Sequence, residues 1–157
     1  MKEKHIKNIY VDRVYLRNSR KSGGYGFVLE YDCGGTQSWL KGFVDTTGNR
    51  MALTGVIDAL NRLSKPCEAT IYTTSQYVVS GMELEWARTH RANGWRQSGN
   101  QIVKNSDLWE QLLDLAEKHS LKFIWTPKRN GHEYSQKCRA FAMMSAEMHR
   151  DRTNNSK

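Results

Sequence analysis

The sequence contains no run of about 18 apolar residues, which removes a membrane-spanning helix from consideration. Its first residues, Met1-Lys2-Glu3-Lys4-His5, hold none of the apolar stretch that a secretory signal needs. Cysteine is scarce. Cys33, Cys67 and Cys138 are odd in number and lack metal-ligand spacing, so they read as reduced thiols of a cytoplasmic protein. No internal repeat, low-complexity tract or interdomain linker interrupts the 157 residues. They read as one domain over 1–150 with a polar tail over 151–157.

What the chain does have is charge of one sign. Lys and Arg number 24 against 16 Asp and Glu, a formal net charge of +8. That excess suits a polyanionic partner, most simply nucleic acid. Charge alone leaves open a soluble basic protein with no such partner. An apolar content of 38% is enough for a real core at this length.

Hydrophobic periodicity gives the order of elements. Ile6 to Asp12 alternates as a strand, with Ile9 and Val11 on one face and Asp12 at its end. Arg13 to Ser22 reads as a polar loop. Gly23-Gly24-Tyr25-Gly26 reads as a tight turn into a second strand, Phe27 to Cys33, and Gly34-Gly35 as a hairpin turn into a third, Gln37 to Phe43. Leu53, Val56, Ile57, Leu60 and Leu63 repeat at helical spacing until Pro66. Glu68 to Thr74 is the fourth strand, and a helix follows from Ser75 to about Trp86. Ala87 to Ile102 is irregular and basic. Asn105 opens a helix with Leu108, Trp109, Leu112, Leu113 and Ala116 inward, Leu121 to Trp125 is the fifth strand, and Glu133 to Arg150 is the last helix. The expected fold is α/β: a five-stranded mixed sheet, three antiparallel strands and then parallel ones, flanked by helices.

The stretch Ile71-Tyr72-Thr73-Thr74-Ser75-Gln76-Tyr77 places Thr74 at the carboxyl end of a strand just before a helix, where open α/β sheets do their chemistry. This stretch resembles the fourth strand and following helix of type I ribonuclease H. Gly23-Gly24-Tyr25-Gly26, Thr46-Thr47-Gly48-Asn49-Arg50-Met51, Gly94-Trp95, Val103-Lys104-Asn105-Ser106-Asp107-Leu108-Trp109 and Gly131-His132 carry the same resemblance, in the family's order and from about Ile6 to Met148. The pieces look closest to the bacterial form with a basic protrusion. The resemblance implies hydrolysis of the RNA strand of an RNA·DNA hybrid by two Mg²⁺ held on four carboxylates. The first carboxylate matches Asp12. The other three positions hold Ala52, Thr74 and Arg139, and the position of the family's mobile loop His falls at Arg129 or its neighbours. Mg²⁺ requires hard oxygen ligands. A guanidinium in their place repels a cation by roughly 4 kcal/mol per pair of unit charges at about 4 Å and an effective dielectric near 20.

The resemblance also implies contacts to nucleic acid. Asn18, Thr47, Asn49 and Gln76 match polar residues that touch the hybrid backbone or sugar edges, and amide side chains can sense a 2′-hydroxyl. The plainer roles are helix capping for Thr47 and Asn49, a polar helix-start position for Gln76 and a turn role for Asn18. Trp86 matches a protrusion Trp that lies along the DNA strand. Beside it Arg88, Arg91 and Arg96 suit phosphate neutralisation, with Arg129 and Arg139 as further phosphate contacts. Three readings follow. One is a catalytically inactive ribonuclease H-like module that binds RNA·DNA hybrid or duplex with no metal or cofactor, alone or within a larger nucleic-acid complex. Another is a working ribonuclease with relocated ligands, such as Asp45 or Glu133, which needs Mg²⁺. The third is a protein–protein scaffold.

Overall fold

The computed structural model describes residues 5–129 and 131–155. Strands β1 (Ile6–Tyr15), β2 (Gly23–Tyr31) and β3 (Thr36–Phe43) form an antiparallel meander. Helix α1 (Gly48–Asn61) leads to β4 (Glu68–Thr73), which pairs parallel to β1. Helices α2 (Gln76–Glu83) and α3 (Trp86–Ala92), a short hairpin β5 (Arg96–Gln97) and β6 (Gln101–Ile102), and α4 (Ser106–Ala116) precede β7 (Ser120–Trp125). β7 pairs parallel to β4, and α5 (Glu133–Asn155) closes the fold. The sheet order is β3-β2-β1-β4-β7, the mixed five-stranded sheet expected from the pattern.

Strand alternation divides the two faces. Ile9, Val11, Phe27, Leu29 and Ile71 point to one side and pack with Leu53, Val56 and Leu60 of α1 and with Leu108, Trp109 and Leu112 of α4. Trp109 is fully buried, and its indole N–H donates to the Tyr77 hydroxyl at 2.8 Å. On the other side Tyr10 and Val28 pack on Cys138, and Val14 packs on Ala142 and Ala146, all three partners from α5. That second face is lined with small residues. A Cβ on Gly26 would lie 2.5 Å from the Phe141 Cβ and 2.7 Å from the Cys138 carbonyl oxygen. One on Gly24 would lie 2.8 Å from the Ala146 nitrogen and 2.9 Å from the Ala142 oxygen. The glycines read as a tight turn therefore lie inside β2; the missing side chains of Gly24 and Gly26 let α5 rest on the strand, while Gly23 faces Thr46 and Met51.

Other boundaries also move. β1 continues three residues past Asp12, because Gly23, Gly24 and Tyr25 supply partners for Tyr15, Val14 and Arg13. The single helix expected from Ser75 to Trp86 breaks at Leu84 and Glu85. Glu85 has φ 64°, a left-handed turn that starts α3 on a new axis. The segment read as irregular folds into α3 and the β5–β6 hairpin. α5 runs to Asn155 through what read as tail, since no Gly or Pro follows Gly131. Among the described residues no helix is long and apolar enough to cross a membrane.

Candidate functional site

The pairing of β4 with β1 ends at Thr73 opposite Val11. Asp12 and Thr74 are the next residues on each strand, so they meet where the parallel strands stop. Ser75 then starts α2, its hydroxyl accepting from the Val78 N–H at 3.2 Å. Asp12 faces α5, the same side as Tyr10 and Val14, and α5 brings Arg139 over it.

These side chains close on one another. The Thr74 hydroxyl donates to Asp12 Oδ1 at 2.6 Å, and the Arg13 backbone N–H donates to the same oxygen at 2.7 Å. Arg13 Nη1 donates to Thr74 Oγ1 at 3.1 Å and lies 3.9 Å from Asp12 Oδ1. Arg139 Nη1 lies 3.7 Å from Asp12 Oδ2. Thr74 thus bridges an anion and a cation, giving its proton to Asp12 and accepting one from Arg13. The Asp12 side chain is 2% exposed, Arg13 18% and Arg139 38%. One carboxylate faces two guanidiniums, so the cluster carries an excess of one positive charge. Burial holds the Arg13 pKa below its ordinary value, Asp12 pulls it back up, and Arg139 pushes it down again.

Ala52, the remaining position of the expected constellation, is 1% exposed on the inner face of α1, in the core cluster that also holds Val11. It offers a methyl group and no oxygen. Asp12 is the sole carboxylate of the constellation, and it is already engaged by a hydroxyl, an amide and two guanidiniums. Among the described residues no group of three or more His, Cys, Asp and Glu side chains converges as a metal site. The donor set does not fit two Mg²⁺.

Asp12, Thr74 and Arg139 come together as the sequence implied, but Arg13 was read as loop. Alternation sends its side chain away from Asp12, and nothing in the spacing signals that it turns back. It reaches Thr74 because the pairing of β4 with β1 has stopped one residue before. Arg129 is exposed in the loop ahead of α5, and Asn130 lies outside the described residues.

The residues matched to nucleic-acid contacts divide. Thr47 is exposed and caps α1, its hydroxyl accepting from the Arg50 N–H at 3.1 Å. Asn49 and Gln76 are exposed at the starts of α1 and α2. Asn18 holds its own loop: its amide oxygen accepts from the Ser22 N–H at 2.9 Å and its amide nitrogen donates to Ser22 Oγ at 3.2 Å. Trp86 is half-buried, its ring edge-on to Trp109 at 4.8 Å between centroids. Arg88 and Arg96 are exposed; the first lies 3.8 Å from Glu85 and the second donates to the Asn100 carbonyl at 3.4 Å. Arg91 is committed elsewhere. It pairs with Asp114, with Glu110 at 3.2 Å and with Glu117 at 3.1 Å, tying α3 to α4. Three carboxylates already neutralise the guanidinium expected to face phosphate.

The family model described as RNase H matches residues 4–147. The chain is 43% identical to a Ribonuclease H of Desulforamulus reducens over 124 residues, covering 79% of this chain and 77% of that one. It is 39% identical to a Ribonuclease HI of Synechocystis sp. over 121 residues, covering 77% and 76%. Among solved structures, LC9-RNase H1, described as a type 1 RNase H with the type 2 active-site motif, superposes with a TM-score of 0.79 at 24% identity, over 94% of this chain and 75% of that one. A foamy viral protease–reverse transcriptase in complex with RNA/DNA hybrid superposes with a TM-score of 0.78 at 18% identity, over 92% of this chain and 20% of that one.

Proposed function

This chain belongs to the ribonuclease H family, and within it we propose a module that binds RNA·DNA hybrid or duplex without divalent metal and without cutting it. The observation that carries this reading is the closed cluster of Asp12, Thr74, Arg13 and Arg139. In an active member Mg²⁺ supplies the activated water and the counter-charge for the leaving oxygen. Here the one carboxylate is held by the protein's own cations. Asn49 and Gln76, exposed at two helix starts, offer amides to sugar edges, while Arg88 and Arg96 offer charge to phosphates. The module works in the cytoplasm, either alone or docked in a larger nucleic-acid complex.

The names of the relatives favour a second reading, an active ribonuclease H whose ligands have moved. Its signature is Mg²⁺- or Mn²⁺-dependent cleavage of hybrid that disappears in Asp12→Asn.

A salt series tests the binding surface. Log affinity for a hybrid falls linearly with log salt, with a slope of about −0.9 per phosphate neutralised on a B-form duplex. Replacing Arg88 and Arg96 by Ala flattens the slope by roughly that amount for each phosphate no longer neutralised. Arg91→Ala instead lowers the melting temperature, because Glu110, Asp114 and Glu117 lose their shared cation. An unchanged slope in the Arg88, Arg96 variant places the binding face elsewhere.

A further inference from the structure

We propose that Arg13 and Arg139, set on Asp12, form a phosphate-binding fork that takes one singly charged phosphate oxyanion in the crevice at the ends of β1 and β4. The fork rests on the metal-free binding reading and gives that reading a specific contact.

Charge is the first indication. Buried charges are ordinarily paired, yet two guanidiniums share one carboxylate here, and Arg13 is mostly buried. A phosphodiester carries one negative charge and brings the cluster to neutrality. Unsatisfied donors are the second. Arg139 approaches Asp12 only to 3.7 Å, beyond hydrogen-bond distance. It donates no hydrogen bond among the described residues, and Arg13 uses a single side-chain N–H, the one given to Thr74. A guanidinium presents a planar set of donors whose geometry matches the oxygens of phosphate. Rigidity is the third. Asp12 Oδ1 accepts from the Thr74 hydroxyl and the Arg13 amide, and Thr74 accepts from Arg13, so hydrogen bonds that an amide oxygen can also make hold the crevice in shape before any ligand arrives, which lowers the ordering cost of binding.

The oxyanion has two sources, a nucleic-acid backbone and free phosphate, and the test separates them. The full chain is titrated with an RNA·DNA hybrid in chelator, as wild type, Arg139→Gln and Asp12→Asn. Arg139→Gln lowers hybrid affinity about tenfold, the scale of a charge-assisted contact. Asp12→Asn acts in the opposite sense. It removes the competing anion while keeping the shape, and hybrid affinity rises about threefold or more, since even a fraction of a unit charge interaction suffices. A purely structural ion pair gives no such gain. A hybrid with one neutral methylphosphonate linkage, moved along the strand, loses about that affinity at one position in wild type and distinctly less there in Arg139→Gln, where only Arg13 remains to meet the phosphate. In parallel, inorganic phosphate is titrated while the guanidinium Nε signals of Arg13 and Arg139 are followed by NMR.

Hybrid binding that is unaltered in Arg139→Gln and unaltered or weaker in Asp12→Asn, in variants that melt like wild type, overturns the fork and leaves the metal-free binder standing. Saturable phosphate shifts at both guanidiniums without hybrid binding support the fork as a free-phosphate site and overturn the nucleic-acid reading. No hybrid effect and no phosphate shift overturns the fork.

Discussion

Restoring carboxylates through Ala52→Glu, Thr74→Asp and Arg139→Asp makes the stability of this protein depend on Mg²⁺. Without metal the variant is weakened twice over. Asp12 loses both the Thr74 hydroxyl and the Arg139 cation, and it gains like-charged neighbours in a crevice where it is almost fully buried. The glutamate introduced in place of Ala52 would enter a position that is packed in the core. Removing one partner of a buried pair costs about 3–5 kcal/mol, so a loss of at least that size is expected in chelator. Mg²⁺ binds the folded variant alone and returns about 2.7 kcal/mol at a hundredfold excess over its Kd. At roughly 2–4 °C per kcal/mol for a chain of this length, the melting temperature rises by about 5–10 °C on adding Mg²⁺, against no rise in the parent. Arg13 remains as a residual cation in this variant, so adding Arg13→Gln enlarges the response. An equal effect of Mg²⁺ on parent and variant means that the four positions do not share a site.

Gly26→Val separates α5 from the sheet. The new side chain would meet Phe141 and the Cys138 carbonyl oxygen, and the second of these is backbone that no rotamer change can move aside. Overpacking a core commonly costs about 1–3 kcal/mol; collision with helix backbone puts this substitution at about 3 kcal/mol or above. The melting temperature falls by roughly 6–12 °C. The effect reaches the site as well, since α5 carries Arg139 to Asp12. Gly35→Ala is the control. Its nearest neighbour would be the Cys33 sulfur at 3.8 Å, and it melts like the parent. If Gly26→Val also melts like the parent, the close seat of α5 on β2 is wrong.

Where residues bury one face, the sequence was a sufficient guide. Leu53, Val56, Ile57 and Leu60 of α1 and Leu108, Trp109, Leu112 and Leu113 of α4 face the core at the spacing that marked them. The family was legible too, because its motifs recur in order over most of the chain, and the match over residues 4–147 agrees. What stayed hidden depends on partners distant in sequence. The glycines within 23–26 signal a turn by composition; only the approach of α5 shows that Gly24 and Gly26 are a docking strip. Arg91 looks like its neighbours Arg88 and Arg96 until α4 and its C-cap, some twenty residues on, supply Glu110, Asp114 and Glu117. Arg13 follows Asp12 directly, yet its place in the site depends on where the pairing of β4 with β1 ends. Counting charges cannot tell a cation already paired from one free to meet a ligand.

One sample tests the central claim most directly. A fluorescent RNA·DNA hybrid is titrated with the protein in EDTA at about 0.1 M salt, where exposed charges are screened beyond about 10 Å. Mg²⁺ is then added in excess, and the RNA strand is run on a denaturing gel. A metal-free, non-cutting module binds the hybrid in EDTA, gains no affinity from Mg²⁺ and leaves the RNA strand intact. Binding that requires Mg²⁺, or an RNA strand cut by wild type and spared by Asp12→Asn, contradicts it.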